Sequence, residues 1–493
     1  MLLVACFGAA VFDSSRFRFG QVSIRRRDAI RRSGTRVGEG VIDTERVGVD
    51  FGSAVGTVPR LADGVELIGE YQGSGFQEPR YIVRRADGQV IQLPRLLYLL
   101  AASMDGQRDQ AQVAGVLSTE FGKVVQPEQV AFLVDNRLRP AGIVAADSEA
   151  GDLETGPVGA VSKLTVKSDP LLALKFRVGV VPERTVWRIA GIFGPMFWPP
   201  VILAALAGFV GLDVLIIAQG GLGRIVPSAI ALVYQPALTL LVLGLILASA
   251  AFHECGHVTA CRYGGAKPGV MGFGLYLVWP ALYSTVTDSY RLGRVGRLRT
   301  DLGGVYFNAV FIAGMSVAYL YTGAPWLLVA IVALHVETAT QFLPMIRLDG
   351  YYILSDLIGV PDLFSRMGPV LASIIPGRAN HPRVQELKPW VRRMITLWVL
   401  IVVPYLGYWL IGFLIVLPRV LPVVWHRLVW LTHAVGAAVS ANHGAEAALG
   451  VVQIVLLLLP WVGSSLMLGM MLRRPLRWLR RRGTPAAVHA GRL

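Results

Sequence analysis

The apolar run that begins near Ala229 carries no charged side chain as far as Phe252, and it ends in His253-Glu254-Cys255-Gly256-His257. A run of that length is long enough to cross a bilayer, where the backbone must satisfy its own hydrogen bonds and therefore winds into a helix. Histidine and glutamate are costly in such a helix, so their presence points to a task. Two histidines four residues apart project from nearly one face. Both imidazoles can reach a single tetrahedral ion, and the glutamate between them can bear on a water at that ion. With 8 histidines in 493 residues, about 0.13 pairs at this spacing arise by chance, and roughly 0.004 once glutamate must follow the first. The plain alternative is a buried histidine pair packed by its neighbours.

The other apolar runs fit the same setting. Hydrophobic residues make up 54% of the chain and charged residues 16%, with a mean hydropathy of +0.54, beyond what a soluble protein of this length shows. Six spans are expected, at 196–217, 229–260, 303–322, 324–345, 394–418 and 447–472. The net charge of +15 comes mostly from arginines outside these runs. They precede the first span and follow the second, fourth and sixth, which puts both termini in the cytoplasm and the basic loops against anionic lipid. The segment 421–435, broken by His426, Arg427 and His433, is read as lying in the outer interface. Cys6, Cys255 and Cys261 have no paired spacing, and no disulfide framework is expected.

Ahead of the membrane lie three stretches of different texture. Residues 1–57 join a short apolar start to an Arg-rich sequence and read as disordered, or as the product of a mis-chosen start. Residues 58–147 read as a small α+β soluble domain. A hairpin turns at Asp87-Gly88, a helix begins at Pro94, a second runs from 107 to 121, and a third from Pro127 buries Val130, Leu133, Val134 and Leu138 before Ile143-Val144 returns as a strand. The sum is a winged-helix outline. Its third helix sets Glu128 and Asp135 beside Arg137 and Arg139, a poor electrostatic footprint for DNA, so no nucleic acid is expected. Residues 148–190 form a polar linker, 191–475 the membrane domain and 476–493 a basic cytoplasmic tail.

A catalytic metal needs a third protein ligand and an open position. Asp213, Glu337 and Asp349 are the acidic groups at membrane depth. Asp213 belongs on the far side of the membrane, and Glu337 lies too deep unless the helix breaks at Pro344. Asp349, in Arg347-Leu348-Asp349-Gly350-Tyr351-Tyr352, falls at the same cytoplasmic edge as His253. A helix cap formed with Gly350 is the plain reading of Asp349. His335 and Glu337 are expected to bond to neighbouring helices, with support of the metal ligands from behind or a place in a proton path as the alternative. Residues 270–288, with two glycines and Pro280, read as a re-entrant extended hairpin able to take a substrate strand on one edge, in preference to a seventh membrane helix.

These motifs resemble the site-2 protease family of intramembrane zinc metalloproteases, with H-E-x-x-H in one span and L-D-G downstream. The run from Pro344 to Leu357 is similar to the branch known as peptide zinc metalloproteases. The resemblance covers roughly residues 230–375 and implies zinc on His253, His257 and Asp349, with Glu254 as general base. Asn308 matches the family's membrane asparagine as a substrate or oxyanion donor. The family often places another asparagine where this chain has Leu343. The outline of residues 58–147, with Leu61-Ala62-Asp63-Gly64-Val65-Glu66-Leu67, resembles the peptide-recognition domain of the pyrroloquinoline-quinone pathway, which implies binding of a leader peptide. The whole then reads as a mainly α, polytopic zinc endopeptidase of a bacterial cell membrane. It would hydrolyse a membrane-anchored protein or a modified peptide near the cytoplasmic face, in regulated intramembrane proteolysis or peptide maturation. A non-catalytic membrane partner of peptide maturation or export that keeps this fold is the alternative.

Overall fold

The computed structural model describes residues 58–145, 175–276, 279–374, 381–459 and 461–462. The expectations for 1–57, for most of the linker and for the basic tail lie outside those residues. The chain divides into two compact units.

The smaller unit contains a three-stranded antiparallel sheet in the order β1 (Glu66–Glu70), β2 (Arg80–Arg84), β3 (Val90–Pro94). Asp87-Gly88 makes the β2–β3 turn. Gly88 sits at φ 76°, and Arg85 N–H donates to the Gln89 carbonyl at 2.8 Å, the positive backbone angle that a tight hairpin demands and glycine meets without strain. Helix α1 (Arg95–Ala102) follows directly. Helix α2 (Gln110–Phe121) starts in a reciprocal cap between Asp109 and Gln112 and stops at Gly122, φ 76°. Helix α3 (Pro127–Leu133) runs on as a π-helical turn over Val134–Leu138. Val130, Val134 and Leu138 are buried against Val83, Leu93 and Leu117, and Ala62 N–H donates to the Ile143 carbonyl at 2.9 Å.

The larger unit is mainly helical. Strand β4 (Lys175–Val181) and helix α4 (Glu183–Ile192) lead into α5 (Pro199–Ala218), α6 (Gly221–Val233) and α7 (Pro236–Tyr263). Strands β5 (Met271–Tyr276) and β6 (Trp279–Ser284) come next, then α8 (Arg294–Thr322), α9 (Pro325–Gln341), α10 (Asp349–Ile358), α11 (Phe364–Ile374), the single turn α12 (Pro382–Gln385) and α13 (Pro389–Ser440). A last helix, α14, covers Gly444–Leu459. Among the described residues four helices are long and apolar enough to cross a membrane: α5, α7, α8 and the first part of α13. Of the six expected spans, the fourth is the 17-residue α9, and the sixth is described only in part.

Two expectations need revision here. Residues 421–435 are not a separate interfacial segment, because α13 is one helix of 52 residues. Its polar breaks are His426, Arg427 and His433, none of which interrupts a helix as a glycine pair would. The second revision concerns the linker, whose end is a strand: β4 pairs antiparallel with β5, and β5 with β6, giving a sheet in the order β4-β5-β6. The charged residues of this stretch hide the alternation of Val178 and Val180.

Helices α7 and α8 cross at Gly256 and Gly303. A side chain on either would meet the other's carbonyl, so two glycines let the backbones touch. Residues Gln72–Gln77 belong to this unit rather than to the smaller one. Phe76, 1% exposed, lies in a core with Tyr351, Tyr352 and Trp398. Gly75 N–H donates to the Gly359 carbonyl at 2.9 Å and the Gly75 carbonyl accepts from Lys388 N–H at 3.0 Å. Fully buried Arg297 on α8 donates to the Gln72 carbonyl at 3.0 Å, to the Leu292 carbonyl at 2.8 Å and to Asp356 Oδ1 on α10 at 3.2 Å.

Candidate metal centre

Helix periodicity sets His253 and His257 one turn apart on α7, and their Nε2 atoms lie 3.0 Å from each other. The Thr300 carbonyl on α8 contacts His257 Nδ1 at 2.8 Å. A carbonyl only accepts, so the proton sits on Nδ1 and the Nε2 lone pair points inward. Gly304, one turn along α8, faces both rings, and a Cβ there would collide with Nε2 of each. Thr300 and Gly304 both escape a reading of the sequence, although the Gly303-Gly304 pair within an apolar helix is a visible trace of close approach.

Asp349 arrives from a separate part of the chain. Helix α9 stops at Gln341, because Pro344 cannot continue it. The chain turns back so that Gly350 packs on the backbone of Phe342, with no room for a side chain. Trp398 Nε1 pins the turn by donating to the Pro344 carbonyl at 2.9 Å. Asp349 opens α10 as its first residue, with Leu348 in the cap position, so the capping role is not the one it plays. Its Oδ2 lies 3.2 Å from His253 Nε2 and 3.5 Å from His257 Nε2.

These three residues offer ligand atoms that all lie within 4.8 Å of one another, and each is at most 1% exposed. The His257 Nε2 lone pair and the Asp349 carboxylate, crowded against the His253 ring and cut off from water, make a place for a cation. Two imidazole nitrogens and one carboxylate oxygen are the donor set of a catalytic zinc site with one position open. The residues present therefore fit zinc. Glu254, 1% exposed, lies on the same turn of α7 as the two histidines. Asp213 lies elsewhere, accepting from His335 Nε2 at 3.0 Å while Phe209 stacks on the imidazole; this is the interhelical bond expected of His335.

A stretch of 116 residues, 23% of this chain, is 28% identical to the "Putative peptide zinc metalloprotease protein YydH" of Bacillus subtilis (strain 168). The likeness is to a zinc metalloprotease. It covers 46% of that protein, so the chain spans less than half the length of the relative it matches. No family profile matches the chain, and no solved structure does. The name of the relative and the donor set agree on zinc, and the four long apolar helices fit a membrane protein.

Deeper than the triad lie two further polar residues. Asn308, fully buried and one turn beyond Gly304, has its Oδ1 3.5 Å from Ser249 Oγ. That hydroxyl donates to Oδ1 and leaves the amide nitrogen facing elsewhere without an acceptor. Glu337 accepts from Gln341 Nε2 at 3.2 Å and is not one of the three grouped ligands. Leu343, where the resembling family often has asparagine, is 39% exposed.

Proposed function

We propose that this chain is an intramembrane zinc endopeptidase that hydrolyses a peptide bond of a membrane-anchored protein or a modified peptide near the cytoplasmic face. The observation that carries the reading is the meeting of His253, His257 and Asp349 from two separate segments around one point, with Glu254 on the same helical turn. Bound there, zinc supplies Lewis acidity to a water and to the scissile carbonyl. Glu254 would take a proton from the attacking water and hand it to the departing amine. Thr300 and Gly304 hold the His257 ring in one tautomer and orientation. The Asn308 amide, its oxygen held by Ser249, directs its N–H at the carbonyl oxygen as charge builds there.

A substrate helix hides its carbonyls and must unwind before attack, so it needs an extended partner. Strand β6 suits that role, since among the described residues no strand pairs with its outer edge. Thr285 N–H donates to the Val270 carbonyl at 2.9 Å, so by alternation Tyr283 and Ala281 turn their backbone groups to β5, while Leu282 and Ser284 turn theirs outward. Ala281 and Tyr283 pack with Leu348, the neighbour of Asp349, which ties this strand to the ligand loop. In the same proposal residues 58–147 hold a leader peptide, and the basic loops lie on anionic lipid with both termini in the cytoplasm.

Protein purified in detergent should contain one zinc per chain and cleave some of a panel of membrane peptides. Glu254→Gln should keep its zinc and lose on the order of 10²–10⁴-fold in turnover. Equal activity in both would remove the assigned base. Zinc without cleavage in either would favour the non-catalytic partner of peptide export.

A further inference from the structure

Glu337 has no part in the chemistry above, yet it is 2% exposed at a depth where an ionisable side chain is expensive. Its place follows from three helices that each step one turn inward from the metal. On α7 Ser249 lies four residues before His253, and on α8 Asn308 lies four after Gly304. On α9 Glu337 lies four before Gln341, next to the Phe342 backbone that packs on Gly350. Helix α9 packs against both α7 and α8, the helices that carry the histidines and Gly304.

Hydrogen bonding uses one of its oxygens. Gln341 Nε2 donates to Oε1, and Oε2 has no donor. In the same layer the Asn308 amide nitrogen has no acceptor. A buried carboxylate oxygen without a donor is costly, and the cost is recovered only when a donor arrives. A peptide unwound to expose its scissile carbonyl also exposes N–H groups that lipid cannot satisfy.

We infer that Glu337 Oε2 is the acceptor for a backbone N–H of the bound peptide, on the membrane side of the scissile bond. This inference rests on the zinc endopeptidase reading and makes Glu337 a substrate-positioning residue. The bond forms only with an extended strand in place, so it favours an unwound segment over an intact helix, whose N–H groups are already used. Glu337 is as deeply buried as the triad, so on this inference a peptide reaching the metal must also open this space.

The test uses zinc-loaded Glu254→Gln protein and a peptide spanning the bond that wild type is found to cleave. Its affinity is compared with that of a series of ester analogues, each lacking one N–H. One analogue should bind about tenfold more weakly than the parent. With Glu337→Gln added, parent and analogue should bind alike, because an amide N–H then faces the position of the substrate donor. Should Glu337→Gln lose its zinc, Glu337→Asp serves in its place and must reduce the discrimination at that position. Discrimination at no position, or discrimination that survives the Glu337 substitution, overturns the inference. Both results leave the peptidase reading intact as long as wild type holds zinc and cleaves; loss of cleavage in wild type sinks that reading instead.

Discussion

At the scale of single residues the site is an arrangement of lone pairs. The His257 ring is oriented from outside by a backbone carbonyl, which no substitution at position 300 removes, and from inside by the absence of a side chain at position 304. Gly304→Ala should therefore weaken zinc binding by about 10–100-fold, the range seen when the support of a ligand is disturbed. Gly314→Ala, on the same helix with nothing near its Cβ, should leave affinity unchanged; competition with a chelating dye reads both. Asp349→Ala removes a ligand outright, and metal analysis should find the purified variant without stoichiometric zinc. The two histidines were legible because their spacing is local and helical. Asp349 needed its motif, since nothing local says that a residue 92 positions after His257 returns to it. Gly304 and the half-satisfied Glu337 became visible only through packing, because what defines them is the identity of their neighbours in space.

At the scale of elements, the determining event is that α9 ends one turn before Pro344 and the chain folds back. A continuous helix would carry Asp349 roughly 18 Å beyond Glu337; the fold-back instead sets Gly350 against the backbone of Phe342. The extended hairpin was legible from two glycines and a proline in an apolar stretch. Its third strand was not, because β4 draws on a basic segment whose strand character depends on pairing with β5. If the outer edge of β6 receives substrate, Leu282→Pro deletes one outward N–H and should lower kcat/KM about fivefold to tenfold. Zinc content should not change. An equal loss from Ser284→Ala, which keeps the backbone donor, would point to a side-chain effect and away from strand addition. The crossing of α7 and α8 offers a harsher test. Gly256→Leu forces apart the helices that carry the histidines and Thr300, and neither folded yield nor zinc should survive it.

At the scale of the whole chain, metal and fold are linked. On the proposed reading zinc binds the folded protein in preference to the unfolded one, so chelation should lower the melting temperature of wild type in detergent by several degrees. His257→Ala, without a complete ligand set, should melt at the same temperature with and without chelator, and differential scanning fluorimetry compares the two. The span count was the least legible feature at this scale. Hydropathy measures apolar length, but α9 is shortened by its proline and α13 runs on past the end of its apolar window.

The segment Gln72–Gln77 changes how the molecule could be cut down. The sequence suggests a membrane domain that starts at residue 191. Yet a six-residue piece packed into that unit is encoded more than a hundred positions upstream, with Ser74, Gly75 and Phe76 buried and the Arg297 guanidinium counting on a carbonyl from Gln72. A fragment beginning at Lys175, which keeps β4 and α4, would carry an open slot beside α10, the helix that presents Asp349. Supplying the missing hexapeptide in trans, rather than lengthening the fragment, is the direct way to learn whether that slot governs catalysis.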